Sequence, residues 1–249
     1  MIEMCSSLIF SLLVLASFVL QQTHAQPFGS FSLRPVQNDP PSTEVIIARL
    51  HFGTNGNTRH TGWSHNYPGS DREINGFLER KTLIDSDEFS YRIVELGSNE
   101  VFDYPFAHVS EPGEMELTEQ EVTNLREYTL RGGTIIMDDF DGDWQSGQME
   151  SQVRRAFPLR PLVPIDADHI LFSAHEQLEN LQAMSQYVPG NDIAYYGLFT
   201  DEGRLVILVG HNNDLANFWN WYSDGSMPLK PSADAFRLGT NAVIYSMTH

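Results

Sequence analysis

The chain has 249 residues, 41% of them hydrophobic, with 18 glycines, 13 prolines and a single cysteine. That composition excludes a low-complexity or disordered chain and suffices for one packed α/β domain. Fifteen Lys and Arg against 33 Asp and Glu give a formal charge of -18, which repels phosphate backbones and anionic membranes and disfavours nucleic-acid binding.

Residues 8–20 form an uncharged apolar run too short to span a bilayer comfortably, and Thr23-His24-Ala25 follows it. The pattern predicts a secretory signal peptide over residues 1–25, cut after Ala25, and export to the periplasm or the extracellular space. Glu3 and the lack of Lys and Arg ahead of the run depart from the usual leader, and the alternative is an uncleaved anchor. Cleavage removes Cys5, so the mature chain would hold no disulfide, thiolate nucleophile or cysteine metal site.

Residues 26–43 hold Pro27, Pro35, Pro40 and Pro41 without apolar periodicity and read as a flexible tether, leaving 44–249 as a single domain. Residues 44–52 are β-branched and apolar, as in a strand covered on both faces. A glycine- and histidine-rich loop, 53–69, leads to a helix from Ser70 to about Ile84 with Ile74, Phe77 and Leu78 on one face, and a second short strand covers 91–96. Thr118 and Glu121 have the spacing of a capping box, with Leu117 and Val122 placed as a staple, and Gly132-Gly133 ends that helix. A buried strand, 134–137, follows at once, then Asp138-Asp139-Phe-Asp-Gly-Asp143 and a helix from about Trp144 that Pro158 stops. Residues 193–200 and 204–210 flank a glycine turn and predict a β-hairpin, and a last helix opens near Pro231 and Ser232. The alternation predicts an α/β fold: a mostly parallel sheet flanked by helices on both faces, with the hairpin near its C-terminal part.

In such sheets ligands lie beyond the carboxyl ends of the strands. The segments 51–69, 97–105, 138–146 and 210–225 leave strand ends and hold all four tryptophans. Four carboxylates within 138–143 repel one another unless a cation or hydrogen-bond donors offset them, so a divalent metal is the one cofactor suggested. The alternative is a turn in which Asp143 caps the following helix. His169 could complete a carboxylate site or act as a base, and His175 reads as a surface or capping residue. Trp63, His65 and Tyr67 combine aromatic faces with donors and either stack on a ligand or pin their loop. Trp144, Asn213, Asp214 and Trp219 offer the same choice at other strand exits: ligand contacts, or helix caps and cover for the sheet's rim. Nucleophile-elbow, phosphate-loop and dinucleotide fingerprints are absent, so no nucleotide cofactor is implied.

The chain resembles the bacterial domain-of-unknown-function family 4159. The resemblance rests on Ile47-Ala-Arg-Leu50, Trp63-Ser-His-Asn-Tyr-Pro68, Phe102-Asp-Tyr-Pro-Phe106, Leu117-Thr-Glu-Gln-Glu-Val122, Leu130-Arg-Gly-Gly133 with Asp138-Asp-Phe140, Asp201-Glu-Gly-Arg-Leu205, Asn213-Asp-Leu215 and Arg237-Leu-Gly-Thr-Asn241. It covers about residues 44–249. It implies a flavodoxin-like or class I glutamine amidotransferase-like fold and no established activity. Asp168-His169-Ile170 departs from the His-Pro usual in the family, and Met137-Asp138-Asp139 stands where an amidotransferase-like chain would carry its cysteine.

The expected function is a noncatalytic module of the cell envelope that binds a small molecule, a glycan or an envelope protein at the strand-exit loops. The mature chain would have no membrane span. The alternative is a metal-dependent hydrolase using Asp138, Asp139 and His169 as ligands, with a bound water as nucleophile. Convergence of those three side chains would favour the second reading. A purely structural partner is a third, which an extensive exposed apolar patch would support.

Overall fold

The structure is a computed structural model and describes residues 36–53, 62–183 and 186–249. The leader, the first part of the tether and residues 54–61 of the first loop lie outside the described residues. Seven strands form one sheet: β1 (Ile47–His51), β2 (Tyr91–Glu95), β3 (Phe106–Ser110), β4 (Thr134–Asp138), β5 (Val163–Pro164), β6 (Ala194–Phe199) and β7 (Leu205–His211). Their order is β2-β1-β3-β4-β7-β6-β5. The first five in that order are parallel and the last two pair antiparallel, so the predicted hairpin is β6–β7 at the side of a parallel sheet.

Central strands are buried on both faces, which is why their sequences read as continuous apolar runs. All five residues of β4 are buried, with Ile135 and Met137 facing one core and Ile136 the other. The first core is covered by α2 (Glu119–Leu130) and α3 (Gly142–Ala156), through residues such as Val122, Leu125, Tyr128 and Val153. The second is covered by α1 (Gly69–Lys81), α4 (Leu215–Asn220) and α5 (Leu229–Thr248), through Ile74, Leu78, Phe218 and Phe236. Among the described residues no helix is long and apolar enough to cross a membrane.

The predicted capping box is formed: Thr118 accepts from the Glu121 N–H, and the Glu121 carboxylate accepts from the Thr118 N–H. A cap of this kind is worth about 1 kcal/mol. Gly132 takes a φ of +101°, the left-handed turn that a side chain would resist, and releases the chain into β4. Asp141, not the expected Asp143, stands at the N-cap of α3, because the helix begins two residues before Trp144. The sequence reading missed β3, a central strand, together with the two-residue β5, while the short helix it offered as one choice after Asp214 forms as α4. Residues 36–43, the described part of the expected tether, lie against the sheet's edge. Gln37 exchanges two hydrogen bonds with the Ile93 backbone, while Asn38 donates to the Phe89 and Tyr91 carbonyls. Side-chain amides thereby occupy backbone groups that an edge strand would otherwise leave open.

The chain runs from β1 to β2 on one side and then crosses to β3 on the other. The carboxyl ends of β1 and β3 therefore flank a topological switch point, where a crevice forms in parallel α/β sheets.

A candidate site at the switch point

Four non-glycine residues have left-handed backbone among the described residues: Asn66, Glu111, Asp139 and Asn212. All four follow strands at the same rim, after β1, β3, β4 and β7 respectively. Such conformations cost of order 1 kcal/mol or more each and persist only where surrounding bonds over-determine them. Those bonds are present. The Glu111 N–H donates to the Asp138 carbonyl at 3.1 Å, the Asp139 N–H to the Asn213 carbonyl at 2.6 Å, and the Asn212 N–H to the Phe140 carbonyl at 2.9 Å. The Asn212 side chain also clamps the 188–191 loop, accepting from the Val188 N–H and donating to the Val188 and Asn191 carbonyls.

Within this rim His65 Nδ1 lies 2.7 Å from Asp139 Oδ2 and 3.1 Å from Glu111 Oε1. Asp139 and Glu111 are buried and His65 is half-buried. Hydrogen bonds to Asp139 and then Glu111 outweigh burial and push the imidazole up to about 10, so it carries a proton at neutral pH. Ser110 donates to Asp139 Oδ2 at 2.9 Å. The second oxygen, Oδ1, is buried and has no hydrogen-bond partner among the described residues. The loop backbone is anchored from below by Arg49 of β1, which is fully buried. Its guanidinium makes a two-pronged contact with Asp71, at 3.2 and 2.7 Å, and also donates to Ser70 Oγ at 2.8 Å and the His65 carbonyl at 3.4 Å. Tyr187 borders the same carboxylates, and burial followed by the charges of Asp139 and Glu111 pushes its hydroxyl up.

The sequence-predicted residues do not all meet at one place. His65, Asp139 and Asn213 meet at the rim. Trp63 is beside them, its ring 4.3 Å from that of His51 at the end of β1. Asp214 caps α4 by accepting from the Asn217 N–H, and burial, with Asp139 and Asp138 nearby, raises its carboxyl well above the usual range. Asp138 turns into the second core instead: His108 Nε2 lies 2.6 Å from its Oδ1, and the Leu215 N–H donates to Oδ2 at 2.6 Å. Trp219 is part of that core, edge-on to His108, and Tyr67 is pinned to the body through the Val36 carbonyl and the Tyr91 ring. Trp144 is largely exposed at the start of α3.

His169 corrects the expected metal set of Asp138, Asp139 and His169. It caps a short 3-10 turn, Ile170–Ser173, and its ring packs on Phe199 and Tyr245. The Tyr245 hydroxyl accepts from the Leu205 N–H, at the start of β7. Because β7 runs parallel to β4, that is the end of the sheet opposite Asp139. The group that does converge is His65, Glu111 and Asp139, whose candidate ligand atoms all lie within 4.8 Å of one another.

Glu111 was not visible to sequence reasoning because β3 was not. The available signal was the run Phe106-Ala-His-Val-Ser110 between Pro105 and Glu111-Pro112-Gly113, a strand with a turn at its exit. Alongside the rim, a cleft of about 340 Å³ has an apolar floor of Phe140, Met149 and Val209 and an edge of Asp143, Tyr196 and His211.

A search of curated proteins returns no match. The model of a family described as a domain of unknown function, DUF4159, matches residues 46–247, and the chain belongs to that family.

Proposed function

We propose that the chain is an exported, noncatalytic binding domain that holds its ligand at the switch-point rim, between His65 and the cleft beside Phe140. The observation that carries this reading is the gathering of all four left-handed non-glycine residues among the described ones at the carboxyl ends of β1, β3, β4 and β7. Backbone strain concentrated at one rim is retained where it positions groups for a partner. Two features support binding over catalysis. Asp139 is fully buried, so an incoming substrate does not reach its carboxylate without displacement of its surroundings. His65 is held protonated at neutral pH and cannot accept a proton as a general base there. Export rests on the apolar run at 8–20 and the small-residue cut after Ala25.

The test is a thermal-shift screen of residues 36–249 against soluble oligosaccharides and short peptides, followed by hydrogen exchange with any stabilising compound. Protection confined to 62–68, 111–113, 186–191 and 212–214 is expected. Protection centred on α2 or on the 166–180 segment, or turnover of the bound compound, would sink the reading. A reporter fused to residues 1–25 should leave the cytoplasm, and retention inside would remove the export part alone.

A further inference from the structure

We propose that His65, Glu111 and Asp139 hold a divalent transition-metal ion at the switch point, an inference that rests on the rim being the binding site. Three observations converge. One imidazole nitrogen and two carboxylates, brought from the exits of β1, β3 and β4, place candidate ligand atoms within 4.8 Å of one another. Metal–ligand bonds of about 2.0–2.2 Å can span that spread after small side-chain adjustments, the ion taking the place of the proton that His65 Nδ1 shares with the two carboxylates and releasing it to solvent. Separately, Asp139 is completely buried and its Oδ1 lacks any hydrogen-bond partner among the described residues. A buried carboxylate oxygen left without a donor is a position that a cation would satisfy. Finally, the ligands already have oriented supports. Ser110 donates to Asp139 Oδ2, and Arg49 donates to the His65 carbonyl while its own charge is balanced by Asp71. Metal sites depend on such outer contacts to fix ligand direction.

The donor set selects the ion. Calcium and magnesium favour all-oxygen sites with six or more ligands, whereas a mixed imidazole and carboxylate set suits zinc or manganese.

The experiment is equilibrium dialysis of chelator-treated protein against Zn²⁺, Mn²⁺, Ca²⁺ and Mg²⁺, with bound metal counted and thermal unfolding recorded. One equivalent of Zn²⁺ or Mn²⁺ per chain is expected, together with a higher Tm. Binding should weaken at least tenfold in Glu111→Gln and Asp139→Asn and stay unchanged in His175→Gln, an exposed histidine elsewhere. Equal binding by wild type and both carboxamide variants, or no bound metal, would overturn the proposal. X-ray absorption on the zinc-loaded wild type needs no variant: one imidazole with oxygen ligands is expected, and two or more imidazoles would overturn it. A rim that is protected by an organic ligand yet takes up no metal would sink this inference and leave the binding reading standing.

Discussion

Asp138 and Asp139 are neighbours in the chain and each meets a histidine, yet the two pairs are held in opposite charge states. His108 and Asp138 face the second core, where burial, with the Arg49 charge acting in the same direction, pushes the imidazole down to about 3. Burial and the adjacent Asp139 push the Asp138 carboxyl well above its ordinary range. The contact at 2.6 Å is thus a hydrogen bond with an uncharged imidazole rather than an ion pair. One residue on, the left-handed turn at Asp139 points its carboxylate to the rim. There His65 is half-buried and has two carboxylates, Asp139 and Glu111, instead of one, and its proton is retained. Burial decides the first pair and the number of acceptors decides the second.

The largest effect is expected beneath both pairs. Asp71→Ala leaves the buried Arg49 guanidinium without its counter-charge and should cost about 3–5 kcal/mol in urea denaturation. A loss below about 1 kcal/mol would mean that the anchor of the rim is not where the geometry puts it. Next comes Asp138→Ala, which strands His108 Nε2 and the Leu215 N–H in a dry interior at about 2–4 kcal/mol. A smaller loss than that of Asp139→Asn would reverse the contrast between the pairs.

The third effect is the most specific. Because the folded-state value of His65 is raised to about 10, its contribution is complete below the unfolded value of about 6.5. It is lost as pH rises through about 10. Chelator-treated wild type should lose stability across that window, and His65→Gln should flatten the slope. The lowered His108 imidazole and the raised Asp138 carboxyl shift proton uptake on folding in opposite directions, so the pair should add less acid-side slope than His108 would alone. An acid-side slope that vanishes in Asp138→Asn would contradict that offset.

Much of the fold was legible because local signals were strong and redundant. Thr118 and Glu121 marked the start of α2, Gly132 marked its end, and the apolar run of β4 reads as a strand with no polar face. The hairpin β6–β7 followed from a glycine turn between two apolar runs. By contrast β3, no shorter than β4, has His108 and a terminal Ser110 that weaken an apolar reading, although both are buried in partnered positions. Losing β3 lost Glu111, and with it a third of the converging cluster. His169 failed for a different reason: residue type marks a possible ligand but carries no information about which end of a strand its loop approaches.

The sequence by itself determined the α/β alternation, the acidic surface charge and the concentration of carboxylates after β4, since each follows from residue type and near-neighbour spacing. Only the tertiary structure decided which carboxylate faces which histidine. That choice depends on strand order, which sets β1 and β3 on either side of the switch point, and on a single left-handed residue that sends Asp139 to the rim while Asp138 turns inward. Contacts between residues 65, 111 and 139 are made by strands pairing side by side, and no local pattern encodes a neighbour that distant in the chain.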